Sequence, residues 1–233
     1  AKGSATRLQQ EVKVKDLLLH EIHHRVKNNL QLVSSLLYLQ GERADGDEIS
    51  RVLRESRNRV QAMALVHETL YSSDNLGLVD FEGYLERLTA AIRSSFGGES
   101  DAIEFQVDSA GPGLEIETAL SCGLIVCELV TNALKYAFEG QETGCLRISL
   151  SFSDDDYLCL EVSDDGIGIS DGALQSDQTL GLTLIRTMTN QLDGELAFEN
   201  GGGTTARVVF PLNQLPAPGL KAGPAAQTPA TAT

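Results

Sequence analysis

The sequence is short of basic residues. Its 233 residues include 18 Lys and Arg against 33 Asp and Glu, which gives a formal charge of −15. Binding to nucleic-acid phosphates requires clustered Lys and Arg, so this balance argues against a nucleic-acid-binding protein. The acidic excess is of the kind that keeps a protein soluble.

Cysteine is scarce as well. The four cysteines are Cys122, Cys127, Cys145 and Cys159, and no two of them have the close CxxC spacing of a zinc site. We expect small, buried residues in a protein from a reducing compartment.

The sequence also lacks a signal peptide and an 18-residue apolar run, so a soluble, cytoplasmic chain without a membrane span is expected. The opening letters "AKGSA" look like an expression scar. Residues 1–14 are therefore expected to be a linker or remnant, with an upstream sensor domain missing. Five of the six prolines fall at or after Pro211, and residues 214–233 have too little bulky apolar content to fold.

The first part of the chain predicts helices. Apolar residues recur at steps of three and four through the first helix, which "GERADGDE" ends, and a second helix follows over about 49–71. Two antiparallel helices bury little surface alone, so residues 15–78 are expected to pair with a second copy as a four-helix bundle.

Residues 79–213 have a different pattern. A third helix over 81–96 and a strand in "AIEFQVDS" precede a long apolar helix over 117–138. Two strand hairpins follow, one around an acidic turn at 154–156 and one around glycines 201–203, with a helix between them. We expect an α+β domain with a mixed or antiparallel sheet.

Three glycine-bearing segments lie in this domain. In "EVSDDGIGIS", Gly166 and Gly168 would let the backbone approach a flat ligand, and Asp164 could accept a hydrogen bond from an amino group. In "TLGLTLI", Gly181 and Leu182 open a helix whose amides could hold phosphate. Each segment, like "NGGGTT", also fits an ordinary turn or helix start.

The apolar helix "CELVTNALKYAF" carries Glu128, Asn132 and Lys135 on one face. Asn can provide an oxygen ligand to magnesium, Glu can accept a proton, and Lys can hold phosphate. A solvated stripe on a half-exposed helix is the alternative.

In this order, "ELVTNALKYAF", "DDGIGI", "TLGLTLI" and "GGGTT" resemble the ATP-binding domain shared by gyrase, the Hsp90 chaperones, MutL and histidine kinases (the Bergerat or GHKL fold). The resemblance covers about residues 100–212 and implies a two-layer α/β sandwich that binds ATP and Mg²⁺. It implies Asn132 on magnesium and Asp164 on the adenine amine, with Gly166 and Gly168 shaping the adenine pocket. It also implies nucleotide contacts from a further set: Lys135, Thr179, Gly181, Leu182 and Thr204. Thr179 departs from the family, which has a lid glycine there.

Three of the four histidines stand in "HEIHHRVKNNLQ". On a helical wheel His24 lies roughly 160° from the centre of the apolar stripe, whereas His23 lies on its shoulder, about 60° away. Metal binding by His20 and His24 is geometrically possible, but no carboxylate third ligand stands at a natural spacing. Exposed polar residues without a chemical role are the plainer alternative.

"LLLHEIHHRVKNNLQLVSSLLYLQ" and "LVHETLYSSDN" resemble the HisKA_2 class of sensor histidine kinases, relatives of the HWE class, over about residues 15–85. In the phosphoacceptor motif, His24, Lys27, Asn29 and Leu30 take the key positions, and a start at His23 is the alternative. His67 is interpreted as structural.

This resemblance implies autophosphorylation of His24 by ATP and transfer to an aspartate of a response regulator receiver domain. The ATP domain must then dock on the hairpin, and the chain is expected to be a homodimer. Glu21 and Glu128 are both candidates for the base that orients the imidazole, and Arg25 and Lys27 are candidates to steady the phosphate. Two alternatives have no histidine phosphorylation: a nucleotide-gated binding module and an ATPase that releases phosphate to water.

Overall fold

The computed structural model describes residues 2–44, 46–69, 78–100, 102–111, 113–154, 156–169 and 180–212, and within these ranges it leaves the side chains of residues 2–20, 23, 47, 98, 99 and 154 undescribed. The expected tail at 214–233 and the lid position Thr179 lie outside the described residues.

Two long antiparallel helices begin the fold. Helix α1 spans Lys2–Gly41 and α2 spans Asp47–Thr69. α1 therefore includes the segment at 2–14 that was expected to be a linker. Gly46, with φ of 122°, allows the chain to turn into α2, because only glycine adopts this conformation without strain.

Two cross-helix contacts fix the register of this hairpin. The guanidinium of Arg57 lies over the ring of Tyr38, 5.4 Å from its centroid, and Lys27 Nζ lies 3.3 Å from Glu68 Oε1. Because the helices are antiparallel, Arg59 lies at the level of Leu36 along the hairpin.

Helix α3, Phe81–Phe96, follows a short strand β1, Leu78–Val79. Asp80 is its N-cap and accepts a hydrogen bond from the backbone N–H of Gly83 at 3.3 Å, which satisfies one of the donors that a helix start leaves unpaired. One face of α3 is buried, as its apolar spacing predicts.

The sheet has five strands in the order β2-β4-β5-β7-β6. The strands are β2, Ile103–Ser109; β4, Gly144–Asp154; β5, Tyr157–Asp164; β6, Glu195–Asn200; and β7, Thr204–Pro211. β2 and β4 are parallel and the other pairs antiparallel, so the sheet is mixed. Both hairpins predicted from the sequence are confirmed.

Strand β3, Leu114–Glu115, pairs with β1 outside this sheet, and the sequence pattern did not indicate either. Helix α4, Ile116–Asn132, then continues as a π-helical turn over Ala133–Ala137. The expected regular helix to Phe138 is wrong in its last turn, which matters for Lys135. Helix α5 spans Leu180–Gln191.

The core lies between the helices and one face of the sheet. Alternate residues of the central strands point into it, as a sheet with one covered face requires: Leu146, Ile148, Leu150, Leu158, Leu160, Val162, Ala206, Val208 and Phe210. The expected α+β two-layer sandwich is confirmed.

One helix of the hairpin joins this core. Ala62 and Val66 of α2 are fully buried in the same apolar cluster as α3 and α4. The hairpin and the sandwich therefore share packing through α2, whereas α1 leaves several large apolar residues exposed: Ile22, Leu32, Val33, Leu36 and Leu39.

Among the described residues, one helical segment, Ile116–Ala137, is long and apolar enough to cross a membrane by length and composition. Most of its apolar window, 78%, is buried inside the domain, which is typical of the core helix of a globular protein.

Candidate functional site

His24 is exposed on α1, as the helical wheel predicts. The side chains of its neighbours His20 and His23 lie outside the described residues, so the structure does not rank them against it. Asn28, one turn further on, is also exposed. The imidazole of His24 is therefore accessible from solvent.

The charged neighbours of His24 are held in ion pairs. Arg25 Nε donates to Glu21 Oε1 at 2.7 Å, with both side chains largely exposed. Lys27 pairs with Glu68 of α2, which also pairs with Arg87 of α3 at 3.1 Å. His67, next to Glu68 on α2, is half-buried, and its structural role stays a prediction.

Glu128 of α4 is buried, with 5% of its surface exposed. Both of its carboxylate oxygens accept hydrogen bonds from Arg59 of α2, Oε1 from Nε at 2.5 Å and Oε2 from Nη2 at 2.9 Å. The hydrogen bond to Glu128 raises the pKa of the Arg59 guanidinium, although burial opposes this shift. A bidentate pair of this kind is among the stronger polar contacts available to a protein.

Lys135 pairs with Glu55, one turn before Arg59 on α2. The π turn begins directly after Asn132 and so changes the direction in which Lys135 leaves the helix. Glu55 also lies 3.9 Å from Arg59. We call Glu55, Arg59, Glu128 and Lys135 the ion quartet.

Asn132 is half-buried beside the start of α5. A Cβ built on Gly181 would lie 2.8 Å from Glu128 Oε2 and 3.9 Å from Asn132 Nδ2. Gly181 therefore allows α5 to approach the polar face of α4, and the structure brings these three predicted residues together. Leu182 next to it has a buried side chain, so only its backbone can face a ligand.

Asp164 ends β5 and is half-buried. Its Oδ1 accepts hydrogen bonds from the backbone N–H groups of Gly166 at 3.0 Å and Thr204 at 3.1 Å. Burial raises the pKa of its carboxyl group, while these donors oppose the shift. Asp164 and Thr204, predicted from distant segments, therefore share one site.

The glycines around Asp164 are required by close backbone packing. A Cβ on Gly166 would overlap the carbonyl oxygen of Ala137, and a Cβ on Gly203 would overlap that of Asp164. Gly168 has φ of 82°, in the left-handed region that favours glycine. Here the backbones of three segments meet, and this packing holds Asp164 at the C-terminal end of the central strand β5.

These residues fit a nucleotide with magnesium. Asp164 offers a fixed carboxylate to an amino group, and Asn132 offers an amide oxygen of the kind magnesium accepts. Among the described residues, no group of three His, Cys, Asp or Glu side chains could hold a metal ion. The side chain of His20, which a metal site with His24 would need, lies outside the described residues.

Arg59 and Glu55 are not among the site residues that the sequence predicts. Both stand in "RVLRESRNRV", where several arginines and a glutamate on a helix are typical of a solvated face. No local pattern predicts that one of these arginines reaches a glutamate 69 positions away in the sequence.

Two family models match the chain. The HisKA_2 histidine kinase model matches residues 21–96, and the model for histidine kinase-, DNA gyrase B- and HSP90-like ATPases matches residues 117–214. Together they cover the hairpin with α3 and then the sandwich, in the order predicted from the sequence.

Similar proteins are kinases of the same class. The sensor histidine kinase PdtaS of Mycolicibacterium smegmatis is 35% identical over 86% of this chain and 40% of its own length. Blue-light-activated histidine kinase 2 of Erythrobacter litoralis is 31% identical over 85% of this chain and 58% of its own length. The chain thus spans about half the length of these relatives.

A solved structure has the same fold. The histidine kinase domain of the EL346 blue-light activated histidine kinase from Erythrobacter litoralis superposes with a TM-score of 0.62 at 26% identity, over 79% of this chain and 97% of that one. A phosphoacceptor-type hairpin and a GHKL ATPase sandwich, matched in this order, place this chain in the HisKA_2 family of sensor histidine kinases.

Proposed function

We propose that this chain is an ATP-dependent protein-histidine kinase that phosphorylates its own His24 and passes the phosphoryl group to an aspartate of a response regulator. The observation that carries this proposal is an exposed His24 in the same chain as an ATP-type site around Asp164. Neutral imidazole is a competent nucleophile near neutral pH.

In the proposed reaction, Nε2 of His24 attacks the γ-phosphorus of ATP. A P–N bond forms, the bond from the γ-phosphorus to the β,γ-bridging oxygen breaks, and ADP leaves with that electron pair. Asn132 would hold Mg²⁺, which neutralises charge on the phosphates. Lys135 would add positive charge at the phosphates, and Asp164 would accept the hydrogen bond of the adenine amine.

The neutral imidazole that attacks through Nε2 carries its proton on Nδ1, and this proton needs an acceptor or an orienting partner. Glu21 lies on α1 three residues before His24, and Glu128 lies on the ATP domain. Both carboxylates hold an arginine, Arg25 and Arg59 respectively. Both carboxylates can accept a further hydrogen bond beside the arginine, so both remain candidates.

The partners follow from the same proposal. The exposed apolar residues of α1, together with Ile49 and Val52 of α2, support burial against a second copy as a four-helix bundle. The phosphoryl acceptor would be a receiver domain in the cytoplasm, and a sensor domain would precede the hairpin.

Incubation with γ-labelled ATP and Mg²⁺ tests the proposal. A kinase gives protein-bound label that is labile in acid and stable in alkali, and this label moves to a receiver domain on mixing. Label appearing only as free phosphate would indicate an ATPase instead. Binding of the nucleotide without either product would indicate a nucleotide-gated module.

A further inference from the structure

We propose that the ion quartet is a latch: α2 holds Glu128 and Lys135 in a resting arrangement, and Mg-nucleotide must take these groups from α2 before His24 can be phosphorylated. This inference rests on the proposed function, because it assigns the nucleotide site to α4. The contacts of the ion quartet join α2, the second helix of the hairpin, to α4, the helix that carries the proposed nucleotide site.

The first support is the occupation of the site's charged groups. Both oxygens of Glu128 accept N–H groups of Arg59, so a guanidinium already neutralises the charge that would attract the proton of an imidazole. The ammonium group of Lys135 is paired with Glu55, which cancels the charge that phosphates would meet. The two groups proposed to act on nucleotide are thus both neutralised by α2.

The second support is the position of the quartet along the hairpin. Arg59 lies at the level of Leu36 in the register that Tyr38 with Arg57 and Lys27 with Glu68 fix. His24 stands twelve residues before Leu36 on α1, which corresponds to about 18 Å at the rise of an α-helix. In-line phosphoryl transfer requires reacting atoms about 3 Å apart. Within one chain, the observed arrangement is therefore not the one that transfers phosphate to His24.

The third support is that each member of the quartet would have a new partner after release, Glu128 by turning to the His24 imidazole that it is a candidate to orient. Glu55 and Arg59 stand at i, i+4 on α2 and already lie 3.9 Å apart, so each can neutralise the other after release. Phosphate oxygens would replace Glu55 at Lys135. A buried pair that lost one partner would be strongly destabilised, so this exchange makes two stable states available.

The test compares affinity for Mg-AMPPNP, measured by titration calorimetry, with the initial rate of histidine labelling. Glu55→Gln removes the charge opposite Lys135 and leaves the Arg59–Glu128 pair intact. Arg59→Gln removes the cation that pairs with Glu128. We expect each variant to bind Mg-AMPPNP about threefold to tenfold more tightly and to label His24 correspondingly faster, because the resting population is reduced.

Matched controls lie on the same helix. Glu48→Gln alters an exposed glutamate of α2, and Arg57→Gln alters an arginine that faces Tyr38 instead of α4. Both should leave the affinity within about twofold, since surface charges away from a network contribute little. Unchanged or weaker binding in Glu55→Gln and Arg59→Gln would overturn the latch.

A measurement on the unaltered chain covers the case in which a variant does not fold. Addition of Mg-AMPPNP should accelerate amide hydrogen exchange over residues 55–66 of α2 if α4 is released, and unchanged or slower exchange would contradict release. If Glu55→Gln binds Mg-AMPPNP more tightly but no histidine label forms in any variant, the kinase proposal is wrong and the latch is not. If histidine label forms but Glu55→Gln and Arg59→Gln bind no more tightly than wild type, the latch is wrong and the kinase proposal is not.

Discussion

The side chain of Tyr84 fills the space that a side chain at Gly123 would need. Tyr84 is fully buried, and a Cβ built on Gly123 would overlap its hydroxyl oxygen. That hydroxyl donates to the backbone carbonyl of Ala62 at 3.2 Å. One phenol ring of α3 therefore holds α4 on one side and the hairpin helix α2 on the other.

Gly123→Ala should lower the free energy of unfolding by about 1–3 kcal/mol, the range for added atoms in a packed core. The ring cannot move aside without losing its hydrogen bond to Ala62. Chemical denaturation monitored by circular dichroism measures the loss. Gly41→Ala is the control, because its added Cβ would meet Leu53 at 3.9 Å, an ordinary contact. Equal stability of the two variants would contradict the packing described for Tyr84.

Asp164 predicts a specific pH dependence of stability. Burial raises its pKa in the folded chain above the 3.8 of an ordinary aspartate. At pH values between 3.8 and the raised pKa, the folded chain binds more protons than the unfolded chain. The free energy of unfolding therefore falls as pH rises through this range. Above the raised value the contribution levels off.

Asp164→Asn should remove this dependence. Urea unfolding of both proteins at a series of pH values should show wild type losing stability relative to Asp164→Asn as pH rises from below 3.8, followed by a plateau. Asp108→Asn on β2 is the control, since that side chain is exposed. A difference between wild type and Asp164→Asn that is flat across the series would contradict the shift.

The thiols should fall into two classes. Cys122 and Cys127 are buried, and burial raises the pKa of Cys127 to about 12, so its reactive thiolate is scarce at neutral pH. Cys145 and Cys159 are half-buried. A chromogenic disulfide reagent should therefore titrate only the latter pair before denaturation.

The thiol assignment can be checked with Cys145→Ser and Cys159→Ser combined. This double variant should show almost no reaction while folded and two reactive thiols in denaturant. Rapid reaction of the folded double variant would mean that Cys122 or Cys127 is accessible.

Asn132→Ala should slow magnesium-dependent labelling of the protein by about tenfold or more, the range for loss of a metal ligand or its support. Raising the magnesium concentration should restore part of the rate. Asn190→Ala on the exposed face of α5 serves as the control and should label at the wild-type rate. A similar rate for both variants would remove Asn132 from the magnesium site.

Much of the fold could be predicted because it depends on local patterns. The alternation in "YLCLEVSD" gives β5, and the three-and-four spacing of α1 places His24 opposite the apolar stripe. The order of glycine segments leads to Asp164 because each glycine is needed where backbones meet, as Gly166 is against Ala137.

The rest depends on contacts between distant residues. Arg59 looks like any surface arginine of an amphipathic helix until the fold brings it to Glu128. The π turn that redirects Lys135 has no marker in "NALKYAF", whose residues all suit an α-helix. Likewise, β1 and β3 have two residues each, too few to form a pattern.

The proposed function depends on His24 as the residue that receives the phosphoryl group. The most direct measurement is acid-labile, alkali-stable labelling from γ-labelled ATP in wild type, His24→Gln and His23→Gln, with Mg-AMPPNP binding measured alongside. We predict that His24→Gln abolishes the label without weakening nucleotide binding, and that His23→Gln retains it. Label that survives in His24→Gln and disappears in His23→Gln would make His23 the phosphoacceptor instead.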